Sequence, residues 1–202
     1  MFVPEKAAKT KPSTAEAARK SAPPQDVLLG FLTVIGNTQS GLYGGYLLIN
    51  SAARPVEFHC SAPVQANRAQ QILYGPTLEP YLFGELIAAT LISSAKNRAA
   101  LICTDCAAVL IARKGISTPM VLVATERDAA SNEVHGEAQP ASHQLVLTDF
   151  DVAEKKLAAW REFAADVPHA RSYLEKLGSS FDLVEPFERI RLAIQEAQRG
   201  AA

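Results

Sequence analysis

Three cysteines among 202 residues are too few, and odd in number, for a disulfide-stapled scaffold, and a chain of this length closes a core without staples. A reducing, cytoplasmic compartment is therefore expected. No apolar run reaches the roughly 20 residues that a membrane-spanning helix needs. The longest candidates are interrupted by Glu85 and by Thr104-Asp105, and the first residues carry Lys, Ala and Pro where a secretory signal would be continuously apolar. The expectation is a soluble protein with no membrane partner.

Charge of one sign is also missing. Twenty Lys and Arg stand against twenty-one Asp and Glu, a formal net charge of −1. Residues 1–25 hold Lys6, Lys9, Lys11, Arg19 and Lys20 against Glu5 and Glu16, a net +3 that leaves −4 for the rest. A body of that sign lacks the cationic face that neutralises phosphates and releases counterions, so nucleic acid is disfavoured as a partner. The same first 25 residues have almost nothing large and apolar after Val3, and they are expected to form a disordered Ala/Lys/Pro-rich tail ahead of one globular domain over 26–202.

Branched and aromatic residues from Val27 to Ile35 predict a strand closed by Gly36. A loop with Gly36, Gly41, Gly44 and Gly45 is expected next, then a hairpin of 46–49 and 55–60 about the turn Asn50–Arg54. Its second strand sets Val56, Phe58 and Cys60 on one face and Glu57 and His59 on the other. A short helix over 67–74 ends at Gly75-Pro76. Thr77 is a candidate N-cap for a longer helix with Leu82, Phe83, Leu86, Ile87 and Leu91 at helical spacing.

Apolar strands at 99–103 and 120–124 flank a helix over 105–114, the pattern of a parallel strand-helix-strand crossover. A polar surface loop over 125–142, a short edge strand at 145–147 and helices near 149–165, 168–178 and 185–199 complete the reading, with 149–199 as a C-terminal helical portion. The fold class expected is α/β or α+β: a mixed sheet with an N-terminal antiparallel meander and a parallel strand-helix-strand portion, covered by C-terminal helices.

Several chemistries fail on their motifs. Gly36-Asn-Thr-Gln-Ser-Gly41 has the spacing of a phosphate-binding loop, but Leu42 and Tyr43 stand where Lys and Ser or Thr are needed. Gly41-Leu-Tyr-Gly44-Gly45 has the wrong spacing for a dinucleotide fingerprint. No Gly-x-Ser-x-Gly elbow occurs, and His135, His143 and His169 fall in loops or at a helix start. Trp160, Phe163 and Tyr173 fit helix packing.

Cys103-Thr-Asp-Cys106 is the sharpest local motif, because it sits where a strand ends and a helix begins, and helix-start donors favour a thiolate. Cys60, Cys103, Cys106 and His59 also make four donors, the number a tetrahedral zinc site takes, although His59 and Cys60 adjoin on one strand and should face opposite ways. The order hairpin, helix, strand, Cys-x-x-Cys, helix, strand is similar in topology to the zinc-dependent nucleobase deaminases. Thr77-Leu-Glu-Pro80 resembles the stretch before their zinc cysteines, which would put Tyr81 and Gly84 at the cysteine positions. The His-x-Glu of that family is absent, and Glu57-Phe-His59 runs in reverse.

If the strands ending near 60, 103 and 124 run parallel, their carboxyl ends share one edge. Open sheets bind ligands there. The first functional expectation is a binding or interaction module using that edge for a small molecule or a protein partner, with Thr77, Thr104, Glu126 and Arg127 as ligand-binding candidates. The alternative is a cysteine-dependent or zinc-assisted enzyme, with Cys103 as nucleophile or ligand, Cys106 as resolving thiol or ligand, and Asp105 or Glu79 as acid or base.

Overall fold

The computed structural model of the chain describes residues 27–37, 41–124, 145–178 and 181–200. The expected tail, the polar loop at 125–142, Glu126 and Arg127 lie outside the described residues. A seven-stranded mixed sheet forms the middle layer, with β1 (Leu29–Asn37), β2 (Gly41–Ile49), β3 (Pro55–Cys60), β4 (Leu101–Thr104), β5 (Met120–Val123), β6 (Leu147–Val152) and β7 (Lys155–Trp160) in the order β3-β2-β1-β4-β5-β7-β6. The meander β1-β2-β3 is antiparallel, β1-β4-β5 is parallel, and the hairpin β6-β7 joins antiparallel to β5. The mixed sheet expected from the sequence is the sheet observed, and its carriers are β-branched and aromatic residues at alternating positions.

The two faces bury different helices. One packs Leu32, Tyr46, Leu48 and Ile102 under α1 (Arg68–Tyr74), a longer helix α2 over 78–94, and a 3-10 helix, Ala107–Lys114. The other packs Phe31, Leu47, Cys103 and Val121 under α3 (Asp166–Leu177) and α4 (Glu185–Gly200). The parity of the strands decides which residue goes where.

Several expectations need correction. Gly36 belongs to β1 and Gly41, Gly44 and Gly45 belong to β2, so none of the four glycines is in a loop. A Cβ on Gly44 would stand 2.2 Å from Ile87 Cγ2 of α2, and one on Gly45 would stand 2.2 Å from Ile190 Cγ2 of α4. The glycines let a helix approach closely on each face. The second correction is the helix expected near 149–165, which is the hairpin β6-β7 followed by a short 3-10 turn, Arg161–Phe163. Its two-residue turn takes Ala153 and Glu154 at positive φ, 47° and 68°, as a tight hairpin of this hand requires. Neither residue is the glycine or asparagine that marks such a turn.

Local chemistry explains the remaining ends. Asn50 Oδ1 accepts from Ala52 and Arg54 N–H at 3.1 and 3.0 Å and holds the β2-β3 turn. Asn67 and Gln70 form a reciprocal capping box at the start of α1. Thr77, the expected N-cap, makes no cap hydrogen bond, and its hydroxyl instead donates to the Tyr74 carbonyl at 2.8 Å. The helix expected over 105–114 is the 3-10 segment, and α2 changes winding along its length: α at Leu78–Pro80, π over Tyr81–Ala88, α again at Ala89–Ser94. Among the described residues no helix is long and apolar enough to cross a membrane.

Candidate functional site

The strands that end at Cys60, Thr104 and Val123 do run the same way, since β3 and β1 both oppose β2 and β4 and β5 follow β1. They are not neighbours. β2 and β1 lie between β3 and β4, so Cys60 is three strand spacings from the Cys103 strand, roughly 14 Å across the sheet. The four zinc donors are not gathered. Among the described residues no three His, Cys, Asp or Glu side chains come together as a metal-binding group.

Cys103 and Cys106 are split by the sheet itself. Cys103 is fully buried against the α3-α4 layer, whereas Cys106 packs against the core beneath α2. Burial pushes each thiol up to about 12. Backbone donors of Val109 and Ala108 at the helix start do pull Cys106 down, as the motif suggested, but burial outweighs them and Asp105 and Glu79 add to the rise. All three cysteines are free. Cys60 is exposed.

Asp105 turns the opposite way from Cys106, towards α4, where Arg191 pairs with it and also reaches Glu188 at 3.0 Å. Burial raises the Asp105 carboxyl above its usual range, against the opposing pull of Thr33 and Arg191. Its Oδ1 has no hydrogen-bond partner among the described residues. Thr104 is buried, and its hydroxyl accepts from Cys106 N–H at 3.2 Å, which makes it a turn residue. Glu79 is exposed in the first turn of α2. His59 Nε2 lies 2.6 Å from Glu57 Oε1. That glutamate also accepts from Lys96 N–H and Asn97 N–H at 2.8 and 3.0 Å, and these bonds hold its carboxyl down at about 2. The Glu57-Phe-His59 motif is thus an anchor for the chain after α2.

A cavity with chemistry around it lies elsewhere. It measures about 670 Å³ and is lined by Tyr74, Thr77, Pro80, Tyr81, Glu85, Ile111, Lys114, Leu145, Trp160 and Glu162. Of the sequence candidates among the described residues it contains only Thr77. Tyr81 and Glu85 stand on the π segment of α2, a winding that occurs mostly as isolated turns, frequently at functional sites. Tyr74 and Tyr81 stack at 4.4 Å between ring centroids. Lys114 Nζ sits over the Trp160 ring at 5.0 Å, and Phe163 meets that ring edge-on at 5.2 Å. A hydrogen bond with Tyr81, reinforced by burial and by the Glu85 charge, raises the Tyr74 hydroxyl.

Packing explains why the cavity forms here. Gly84 brings α2 against the 3-10 helix so closely that a Cβ would stand 2.5 Å from Ile111 Cβ, which fixes the two walls. Trp160 ends β7 two residues past Ala158, the partner of Leu122, so the cavity is level with the amino end of β5. Arg113 braces that end: its guanidinium grips Asp166 at 2.8 and 3.0 Å and covers the Phe163 ring at 4.4 Å, while Asp166 also accepts from Met120 N–H at 3.0 Å. Four separate stretches of the chain, 74–85, 111–114, Leu145 and 160–162, supply the lining. No single stretch of sequence carries a signal for it, apart from the aromatic residues on either side of the Gly75-Pro76 break.

No protein-family model matches the chain, and no curated protein matches it.

Proposed function

We propose that the protein is a binding module that takes a small, partly planar organic molecule in the cavity between α2, the 3-10 helix and β7. The observation that carries this reading is the lining. Three aromatic side chains share about 670 Å³ with Glu85, Glu162, Lys114 and Thr77, a mixture of apolar walls and a few polar groups in the size range of small-molecule sites. The rings supply area and stacking. The carboxylates and the ammonium set orientation, and a ligand with hydrogen-bond donors or a positive group suits the pair of acids.

The thiol-enzyme reading has no comparable support, because Cys103 is buried and Cys106 half-buried on opposite faces of the sheet, both with raised thiols. Trp160 is the only tryptophan, so its emission reports directly on the cavity. A panel of small aromatic acids, aromatic amines and aliphatic amines titrated into the protein is expected to yield at least one saturable change in that emission. Tyr81→Ala should weaken the response about tenfold or more, in keeping with the loss of one stacked ring. A panel that leaves both the emission and the amide spectrum of the lining residues unchanged would overturn the reading.

A further inference from the structure

The charges around the aromatic cavity are unequally engaged. Lys114 Nζ lies over the Trp160 ring at 5.0 Å, the arrangement of a cation held by the negative face of an aromatic ring. Glu85 and Glu162 line the same cavity. Among the described residues neither acid forms an ion pair, with Lys114 or with any other cation. The lining therefore holds two carboxylates and one ammonium, a net charge of −1, and its ammonium is engaged by a ring. Arg113, on the same 3-10 helix as Lys114, does not restore the balance, because Asp166 takes its guanidinium.

The three charges come from three different elements: Glu85 from the π segment of α2, Lys114 from the end of the 3-10 helix, and Glu162 from the 3-10 turn after β7. All three residues are exposed, so a ligand meets them without disturbing the core. The Tyr74 hydroxyl, raised first by its hydrogen bond with Tyr81 and by burial, is raised further by the Glu85 charge, which therefore acts on the stacked tyrosines. An ammonium finds two kinds of partner here: the ring face on which Lys114 already rests, and two carboxylates with no cation. A ligand carboxylate finds Lys114 alone and enters against Glu85 and Glu162.

We propose that the ligand of this cavity is an organic ammonium with a planar body, that its cation takes the place of the Lys114 ammonium on the Trp160 ring, and that Glu85 and Glu162 supply the counter-charge. The proposal rests on the reading of the cavity as a ligand site. Lys114 is then a specificity-determining residue: it holds the cation position itself and is the competitor that an incoming ammonium displaces. The exchange replaces one cation over the ring by another and adds attraction to the two acids, while the planar body adds contact with the tyrosines. The flexible stem of Lys114 lets its displaced ammonium move into solvent.

Phenethylammonium, phenethyl alcohol and hydrocinnamate share a phenyl-alkyl body and differ in charge. Calorimetric titration of the full chain with each is expected to rank the ammonium tightest, with an affinity that falls as salt is raised. Lys114→Met keeps the length of the side chain and removes its charge. It should tighten the ammonium about fourfold, the effect of one unit charge at about 5 Å in a water-like dielectric, and should loosen hydrocinnamate. Glu85→Gln or Glu162→Gln should weaken the ammonium severalfold and leave phenethyl alcohol unchanged. A wild-type preference for hydrocinnamate, equal affinity for the three, or a Lys114→Met that alters all three alike overturns the inference and leaves the cavity standing as a ligand site. An ammonium that binds neither the wild type nor Lys114→Met also overturns it, and the cavity reading falls with it only if the wider panel yields no binder.

Discussion

The two helical layers on this sheet bury similar amounts of apolar side chain and do so in different ways. The α3-α4 layer is built of regular helices, with Phe187 set edge-on to Phe31 at 5.4 Å and with Arg189 and Arg191 tying α4 to the Ala53 carbonyl and to Asp105. The opposite layer is a chain of short windings, α, 3-10, α, π and α, and it leaves the aromatic cavity at one end. Regular helices fill a sheet face by ridge and groove packing. Irregular ones place side chains where no regular helix would, at the cost of leaving space. The aromatic cavity proposed as the ligand site belongs to the irregular layer.

The strongest way to break this comparison is at the joint between the layers. Arg113 belongs to the 3-10 helix and Asp166 to the first turn of α3, and the pair is largely buried. Arg113→Ala leaves a buried carboxylate without its cation, and it should cost about 3–5 kcal/mol, read as a lower urea midpoint. An unchanged midpoint would mean that the layers are held independently.

A smaller effect separates the layers themselves. Gly45→Val pushes on Ile190 and Ile194 of α4, and Gly44→Val pushes on Ile87 and Leu91 of α2. Each should cost about 1–3 kcal/mol by overpacking. The loss should be larger at Gly45, because α4 is tethered by its arginines and has less room to move. Equal losses would show that the irregular layer is as rigid as the regular one.

The mildest test is pH. Glu57 ties the end of the α2 layer to β3, and its carboxyl is held at about 2, below the ordinary 4.5. A lowered folded value contributes stability that is present above pH 4.5 and is lost as pH falls through about 2. Glu57→Gln should therefore lower stability above pH 4.5, where the contribution is present, and leave it little changed near pH 2, which flattens the acid limb between those values. Asp105 has the opposite sign: its raised carboxyl favours the folded state below the unfolded value and loses that contribution as pH rises through the folded one. Asp105→Asn should thus soften the decline on the rising side. Thermal unfolding monitored across pH 2–7 reads both.

Much of the scaffold is legible in the chain. The branched and aromatic run at 27–35, the asparagine turn at 50–54 and the helix break at Gly75-Pro76 each follow from short-range preferences, and all lie where they are expected. The hairpin β6-β7 was hidden because Lys155-Lys156-Leu157-Ala158-Ala159 is rich in helix-forming residues, and sheet pairing with β5 overrides that preference. In β3 the alternation is present with its burial reversed: the apolar set is exposed at the rim while Glu57 and His59 are half-covered. Periodicity gives a strand its two faces but does not say which face will be covered.

Of the candidate site residues that the structure describes, Thr77 alone lines the aromatic cavity. The thiols, Asp105 and Thr104 cluster near one turn, yet they divide between the two faces and are drawn into packing, a turn and an ion pair. By itself the sequence determined local conformation: which segments extend, where they turn, and which side chains share a face, since these depend on sterics within a few residues. Only the tertiary structure decided that β2 and β1 separate Cys60 from Cys103, that glycines in β2 seat two helices, and that Tyr81 and Trp160 line one cavity. Those outcomes depend on contacts between residues far apart in the chain, whose strength comes from close packing and not from any local pattern.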